Sequence, residues 1–140
     1  MLNVDETWIN RGDMRHMKWR TQGQTNSISD KSISPRISVI AAIDTEGESY
    51  LSLSIANTDE DTFRLFIQKL STKLTRERPN WKEDTVLLMD NAPYHGSQKT
   101  REYLAHKGIR TMYTSPYSYS GSPIELWFAA LKSTNLNPTM

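Results

Sequence analysis

Three carboxylates in this chain stand where their type and placement suit chemistry: Asp5, Asp90 and Glu125. Asp5 sits inside an alternating stretch from Leu2 to Ile9. Asp90 closes the apolar run Leu87-Leu88-Met89-Asp90-Asn91, and Glu125 falls in the first turn of a helix that opens at Ser122-Pro123. Brought together, three such groups suit a hard cation. Mg²⁺ prefers oxygen ligands and keeps several of its waters. Two such ions, about 3.5–4 Å apart, activate an attacking oxygen and stabilise the leaving oxygen at phosphorus. That reaction demands positioning and charge neutralisation from the protein, with little covalent help. The sequence has no cysteine and only three histidines, His16, His95 and His106. Thiol chemistry and a disulfide scaffold are thereby excluded, and little is left for a histidine-rich zinc site.

Each acid also has a purely structural reading. Asp5 can be an exposed strand residue. Successive strand side chains point to opposite faces, so only one of Asp5 and Glu6 can enter a site. Asp90, ahead of Asn91-Ala92-Pro93, can simply start a turn. Ser122-Pro123-Ile124-Glu125 fits a capping box, in which the glutamate reaches back to the N-cap amide. Asp13, Asp44 and Asp84 read as turn or surface residues.

The elements that must position these acids follow from periodicity. Leu2, Val4 and Trp8 alternate with polar residues and predict a strand over Leu2 to Ile9. Residues 11 to 34 are polar and carry no clear period, with a short irregular excursion around Trp19. Ile37 to Asp44 is β-branched and apolar. A turn at Thr45 to Glu48 then leads into Tyr50 to Ile55, where Leu51, Leu53 and Ile55 alternate with serines. This predicts a hairpin with its serines on the wet face. Phe63, Phe66, Ile67, Leu70 and Leu74 form one helical stripe, with Thr58 as N-cap and Asp59, Glu60 and Asp61 in the first turn. Thr85 to Met89 reads as a covered parallel strand. Ser97 to Lys107 reads as a helix stopped by Gly108, Ile109 to Tyr113 as a strand, and the last helix carries Pro123 at its first position. The order β-β-β-α-β-α-β-α predicts an α/β fold, a mixed five-stranded sheet with helices on its faces. Active sites of such sheets gather at the carboxyl ends of parallel strands, where Asp90 falls. A fourth strand beside the first would let Asp5 and Asp90 face one another.

With 140 residues the chain is expected to be a single domain over residues 1–140. Its hydrophobic share of 36% and charged share of 24% suit a folded globular chain. The longest apolar runs, Val39 to Ile43 and Val86 to Met89, are far too short to span a membrane. The first residues lack a signal-peptide pattern, which together with the absent cysteines predicts a protein that is not secreted. Net charge is only +1, yet it is distributed in blocks. Asp44 to Asp61 holds six acids and no base, and Arg64 to Lys82 six bases and one acid. The basic block reads as a solvated helix face or as a phosphate-contacting surface.

Three blocks carry a resemblance. Val4-Asp5-Glu6-Thr7-Trp8, Leu87 to His95 with its Asp90-Asn91-Ala92-Pro93-Tyr94-His95 core, and Pro123-Ile124-Glu125-Leu126-Trp127 resemble the catalytic core of mariner-type DDE transposases. Between Asp90 and Glu125 lie 34 residues, the spacing typical of the Asp-Asp-Glu branch. The resemblance implies an RNase H-like fold and a two-metal DNA endonuclease and strand transferase using Mg²⁺, with Mn²⁺ as substitute. It implies Asp5, Asp90 and Glu125 as catalytic metal ligands, Asp5 being shared between the ions. Asn91 and His95 match as supporting residues that orient Asp90 or contact a phosphate; a turn role for Asn91 and a surface role for His95 are the alternatives. DNA, as transposon ends and target, is the implied partner, with a homodimer in the transposition complex. Arg11, Arg15, Lys18 and Arg20 are candidate phosphate contacts. The implied location is the nucleus in a eukaryotic host and otherwise the cytoplasm.

The pattern also departs from the family. Ser118-Tyr119-Ser120-Gly121-Ser122-Pro123 stands where the family has Ser-Pro-Asp-Leu-Asn-Pro, which predicts a more flexible loop ahead of Glu125. No helix-turn-helix DNA-binding region fits ahead of Asp5, and 15 residues follow Glu125. Two other readings therefore stay open: an inactive remnant that binds nucleic acid or protein, and an RNase H-like nuclease with another nucleic-acid substrate.

Overall fold

The computed structural model describes residues 1–10, 22, 36–115 and 122–134. Five strands form one mixed sheet in the order β3-β2-β1-β4-β5. They are β1 (Leu2–Ile9), β2 (Ile37–Asp44), β3 (Ser49–Ser54), β4 (Val86–Met89) and β5 (Arg110–Tyr113). The helices are α1 (Glu60–Glu77), α2 (Trp81–Asp84), α3 (Gln98–His106) and α4 (Pro123–Ser133). The predicted order holds, with the four-residue α2 added. The strand limits of β1 and β2 agree with the periodicity, because both strands are long and internal.

β1 pairs antiparallel with β2 and parallel with β4, and β4 pairs parallel with β5. In the β1–β4 register Asn3 lies opposite Leu88. Two residues further along each chain, Asp5 comes level with Asp90.

The sheet buries both faces. Leu2 and Val4 of β1, Ile40 and Ala42 of β2, and Leu87 and Met89 of β4 point to one face. There they meet Phe63, Phe66, Ile67, Leu70 and Leu74, the predicted stripe of α1, together with Leu104 of α3 and Trp81. Burying aliphatic and aromatic side chains of this size contributes about 1.5–3 kcal/mol each. The opposite face holds Ile9, Val39, Ala41 and Ile43, covered by Ile124 and Phe128 of α4.

Two local expectations are corrected. The N-cap of α1 is Asp59, whose carboxylate accepts from the Thr62 amide at 2.7 Å. Aspartate accepts that bond with a full charge at the positive helix end, so it displaces Thr58 from the role. In β3 the wet face is the apolar one. Leu51, Leu53 and Ile55 are 51%, 63% and 77% exposed, whereas Tyr50 is partly buried against the α1 core. Leu51 and Leu53 pair with Ala41 and Val39 and so share the α4 face, but α4 packs over β1 and β2 and stops short of this edge strand.

The start of α4 is held from a distance. Asn3 is buried in β1, and its Oδ1 accepts from the Ile124 amide at 3.2 Å and from the Ser122 hydroxyl at 2.6 Å. Its Nδ2 donates to the Leu88 carbonyl. One side chain thus joins β1, β4 and α4. Replacing Asn3 with Ala strands a buried helix-terminal amide and a partly buried hydroxyl. Unfolding in denaturant should show a loss of about 2 kcal/mol, well above that of an exposed control such as Gln68→Ala.

Candidate active site

Strand alternation separates the neighbours Asp5 and Glu6 to opposite faces of β1. Asp5 shares its face with Asn3 and therefore with α4, which carries Glu125. Glu6 follows Leu2 and Val4 onto the α1 face. Asp90 is the first residue past β4, at the carboxyl end of a parallel strand. Glu125 is exposed in the first turn of α4. Ser122 makes no side-chain cap to α4, because its hydroxyl is turned to Asn3. Asn3 performs the capping, so the carboxylate of Glu125 is not needed for it.

Of the three acids, Asp5 is the one whose titration is raised. Burial pushes the Asp5 carboxyl up to about 7, although a hydrogen bond from the Glu6 amide at 2.7 Å opposes this. The negative charges of Glu6, Asp90 and Glu125 push it up further. An acid held this far above its ordinary range favours either a proton or a cation beside it. Among the described residues no three acidic or histidine side chains stand close enough to grip one ion unaided. The donor set of carboxylate oxygens nonetheless fits a hard divalent cation.

Asp90 differs because a base neutralises it. The hydrogen bond from His95 lowers its pKa. His95 is wholly buried, with Nδ1 2.6 Å from Asp90 Oδ1 and Nε2 2.9 Å from Glu6 Oε1. With both ring nitrogens facing carboxylates, both donate, and the ring is an imidazolium. Burial alone would lower the His95 pKa, but the bonds to Asp90 and Glu6 outweigh it and raise it to about 9. Tyr94 Oη donates to the second oxygen of Glu6 at 2.9 Å. The Phe63 ring lies 4.5 Å from the imidazole, centroid to centroid.

The loop between β4 and α3 is tied down along its length. The Ala92 amide donates to Asp90 Oδ1, Thr100 Oγ1 to the Tyr94 carbonyl, and Tyr113 Oη to the His95 carbonyl. Asn91 is exposed, and its Nδ2 donates to the Thr114 carbonyl at 2.6 Å. Its side-chain hydrogen bond links the ends of β4 and β5 and goes to Thr114, not to the Asp90 carboxylate. The burial of His95 leaves it neither a surface position nor a phosphate contact. Arg11, Arg15, Lys18 and Arg20 lie outside the described residues, as do Trp19 and residues 116–121 of the loop before α4. Sequence reasoning missed Asn3, Glu6 and Tyr94. For Glu6 a signal existed: a carboxylate in step with Leu2 and Val4 is carried to the covered face and needs a partner there.

A mixed five-stranded sheet in the order β3-β2-β1-β4-β5, with helices on both faces, is an RNase H-like fold. The family model described as DDE superfamily endonuclease matches residues 1–139, and the chain belongs to that family. The fold is that of the catalytic domain of Mos1 mariner transposase, with a TM-score of 0.70, 18% identity, and coverage of 99% of this chain and 61% of that one. It is likewise similar to Mos1 in the mariner paired end complex with Mn, at a TM-score of 0.69 and 22% identity, covering 93% of this chain and 40% of that one. Mos1 in a paired-end complex with left transposon end gives a TM-score of 0.69 and 22% identity over 94% of this chain and 40% of that one. The chain thus spans less than two thirds of the length of these relatives. No curated protein matches the sequence significantly.

The pKa shifts predict a pH profile of stability. Asp5 is raised in the fold, so its contribution is full below about 4 and is lost as pH rises through about 7. His95 is raised from 6.5 to about 9, so its contribution is full below 6.5 and is lost as pH rises through about 9. The melting temperature without metal should therefore fall steadily from pH 5 to pH 9. Asp5→Asn should remove the acid half of that fall and raise the melting temperature at pH 8. Mg²⁺ should stabilise wild type more at pH 8 than at pH 5, where protons already neutralise Asp5. An identical shift at both pH values would contradict this.

Proposed function

We propose that this chain is the catalytic core of a DNA transposase, an endonuclease that cuts DNA at a transposon end and transfers the freed 3′-OH to target DNA. The observation that best supports this reading is that Asn3 ties together β1, which bears Asp5, β4, which leads into Asp90, and the start of α4, which bears Glu125, with the charges of Asp90 and Glu125 adding to the raised pKa of Asp5. A carboxylate raised chiefly by burial is costly to ionise in a metal-free fold, and a cation beside it relieves that cost. Asp5, Asp90 and Glu125 would hold two Mg²⁺, with Mn²⁺ as substitute. When bound, the ions supply activation of the attacking oxygen and stabilisation of charge at phosphorus.

The protein's own part is positioning. Asp5 lies on β1 opposite Ala41 of β2, and its Oδ1 accepts from the Glu6 amide. Asp90 is held through one oxygen, Oδ1, by His95 and Ala92. Glu125 is the exposed member, on the first turn of a helix that Asn3 anchors. The Mos1 transposase paired-end complex with left transposon end supports DNA as the partner, and a homodimer is part of the proposal for the working complex. Arg11, Arg15, Lys18 and Arg20 are proposed to contact phosphates, and such affinity is sensitive to salt. In a eukaryotic host the place of action is the nucleus.

Nicking of supercoiled plasmid in Mg²⁺ or Mn²⁺ tests the reading. Wild type should cut, and Asp90→Asn and Glu125→Gln should each lose at least about 100-fold in rate. Absence of cutting by wild type, with no metal-induced rise in melting temperature, would instead support an inactive remnant acting as a binding module. Preference for another nucleic acid over DNA would support a plain RNase H-like nuclease.

A further inference from the structure

Glu6 is a carboxylate only 7% exposed at its side chain, one position from Asp5 but on the other face of β1. Both of its oxygens are engaged, Oε1 by His95 and Oε2 by the Tyr94 hydroxyl. His95 in turn bonds Oδ1 of Asp90, which also accepts from the Ala92 amide. The second oxygen of Asp90 has no partner among the described residues, and the Asp90 side chain is 37% exposed. The chain of contacts therefore starts beneath the sheet at Glu6, passes through a ring of zero exposure, and ends on the buried side of Asp90.

We propose that Glu6 is a positioning residue for the metal site: through His95 it fixes the rotation of Asp90, so that one oxygen is held in the protein and the other is kept facing the cation. The inference rests on the metal-site reading above. Its physical basis is rotational freedom. A carboxylate on a loop turns readily about its last two bonds, and two donors on Oδ1 remove that freedom before a metal arrives. His95 can serve only if its own ring is fixed. Nδ1 is spent on Asp90, so Nε2 must be anchored elsewhere, and Glu6 is the group at that atom. Phe63 and Tyr94 pack against the ring but offer it no acceptor. Glu6 lies on β1 and Asp90 just past β4, so the same contacts fix the spacing of the two strands that bear Asp5 and Asp90. Partners of this kind behind a metal ligand are commonly worth 10–100-fold in metal affinity.

The test is Mn²⁺ binding to the full chain without DNA, followed by electron paramagnetic resonance of the free ion and checked against thermal unfolding. Glu6→Ala should weaken binding about tenfold while the protein still melts cooperatively. Glu6→Gln, which keeps an acceptor at Nε2, should stay within about threefold of wild type. Glu6→Ala binding Mn²⁺ as tightly as wild type would overturn the inference. Should Glu6→Ala fail to fold, His95→Gln decides, and unchanged affinity in that variant would overturn it equally. Asp90→Asn separates the two readings. If wild type binds and Asp90→Asn does not, the metal site stands, and a normal Glu6→Ala sinks only the positioning role. If Asp90→Asn binds as well as wild type, both readings fall.

Discussion

One buried amide holds together the three elements that carry the acids. Asn3 donates to β4 at Leu88 and accepts from both Ser122 and Ile124 at the start of α4, all from the middle of the sheet. β1 bears Asp5, β4 leads into Asp90, and α4 bears Glu125. A helix terminus needs acceptors for its first amides, and here the acceptor comes from 121 residues away in sequence. The need of α4 for a cap therefore determines where Glu125 sits relative to the strands. The same contact frees Ser122 and Glu125 from satisfying the helix end between themselves.

The sheet divides the chemistry by the simplest rule of strand geometry. Odd positions of β1, Asn3 and Asp5, face α4 and the acid group. Even positions, Leu2, Val4 and Glu6, face α1. Two adjacent carboxylates thereby acquire opposite duties. Among the described residues Asp5 has no cationic partner, and its pKa is raised, whereas Glu6 is matched by a buried imidazolium. A buried charge is tolerated only with such pairing, because desolvation costs several kcal/mol per ion. The Glu6–His95–Asp90 row satisfies this with two acids around one base. It leaves a net negative charge that extends to the surface at Asp90, as a cation site requires.

The architecture is uneven in a way that follows from helix length. The α1 face is closed by an 18-residue helix with α3 beside it. The α4 face is covered by 11 residues over β1 and β2, and the apolar side chains of β3 stand outside that cover. Asp5 lies on β1, the central strand, paired with β2 and β4, while Asp90 and Glu125 come to it from the end of β4 and the start of α4.

Much of this was legible in the sequence because it depends on short-range patterns. Alternation marks β1, the five-residue stripe marks α1, Gly108 with its positive φ ends α3, and Pro123 opens α4. The order of elements along the chain followed from the alternation of strands and helices, and the family resemblance from three short motifs with their spacing. What lay beyond reach depends on pairs distant in the chain. A capping box and a capping asparagine 121 residues away look the same from Ser122-Pro123-Ile124-Glu125. Leu51 and Leu53 alternate like buried residues, yet their burial depends on how far α4 extends across the sheet. His95 reads equally as surface or site until Glu6, 89 residues earlier, is brought against its ring. Local sequence determines which backbone conformation and which face each residue takes, since those are set by sterics and by periods of two and 3.6. Tertiary structure alone decides which charges meet, because a charge finds its partner in space and its energy depends on the burial that only the assembled sheet and helices create.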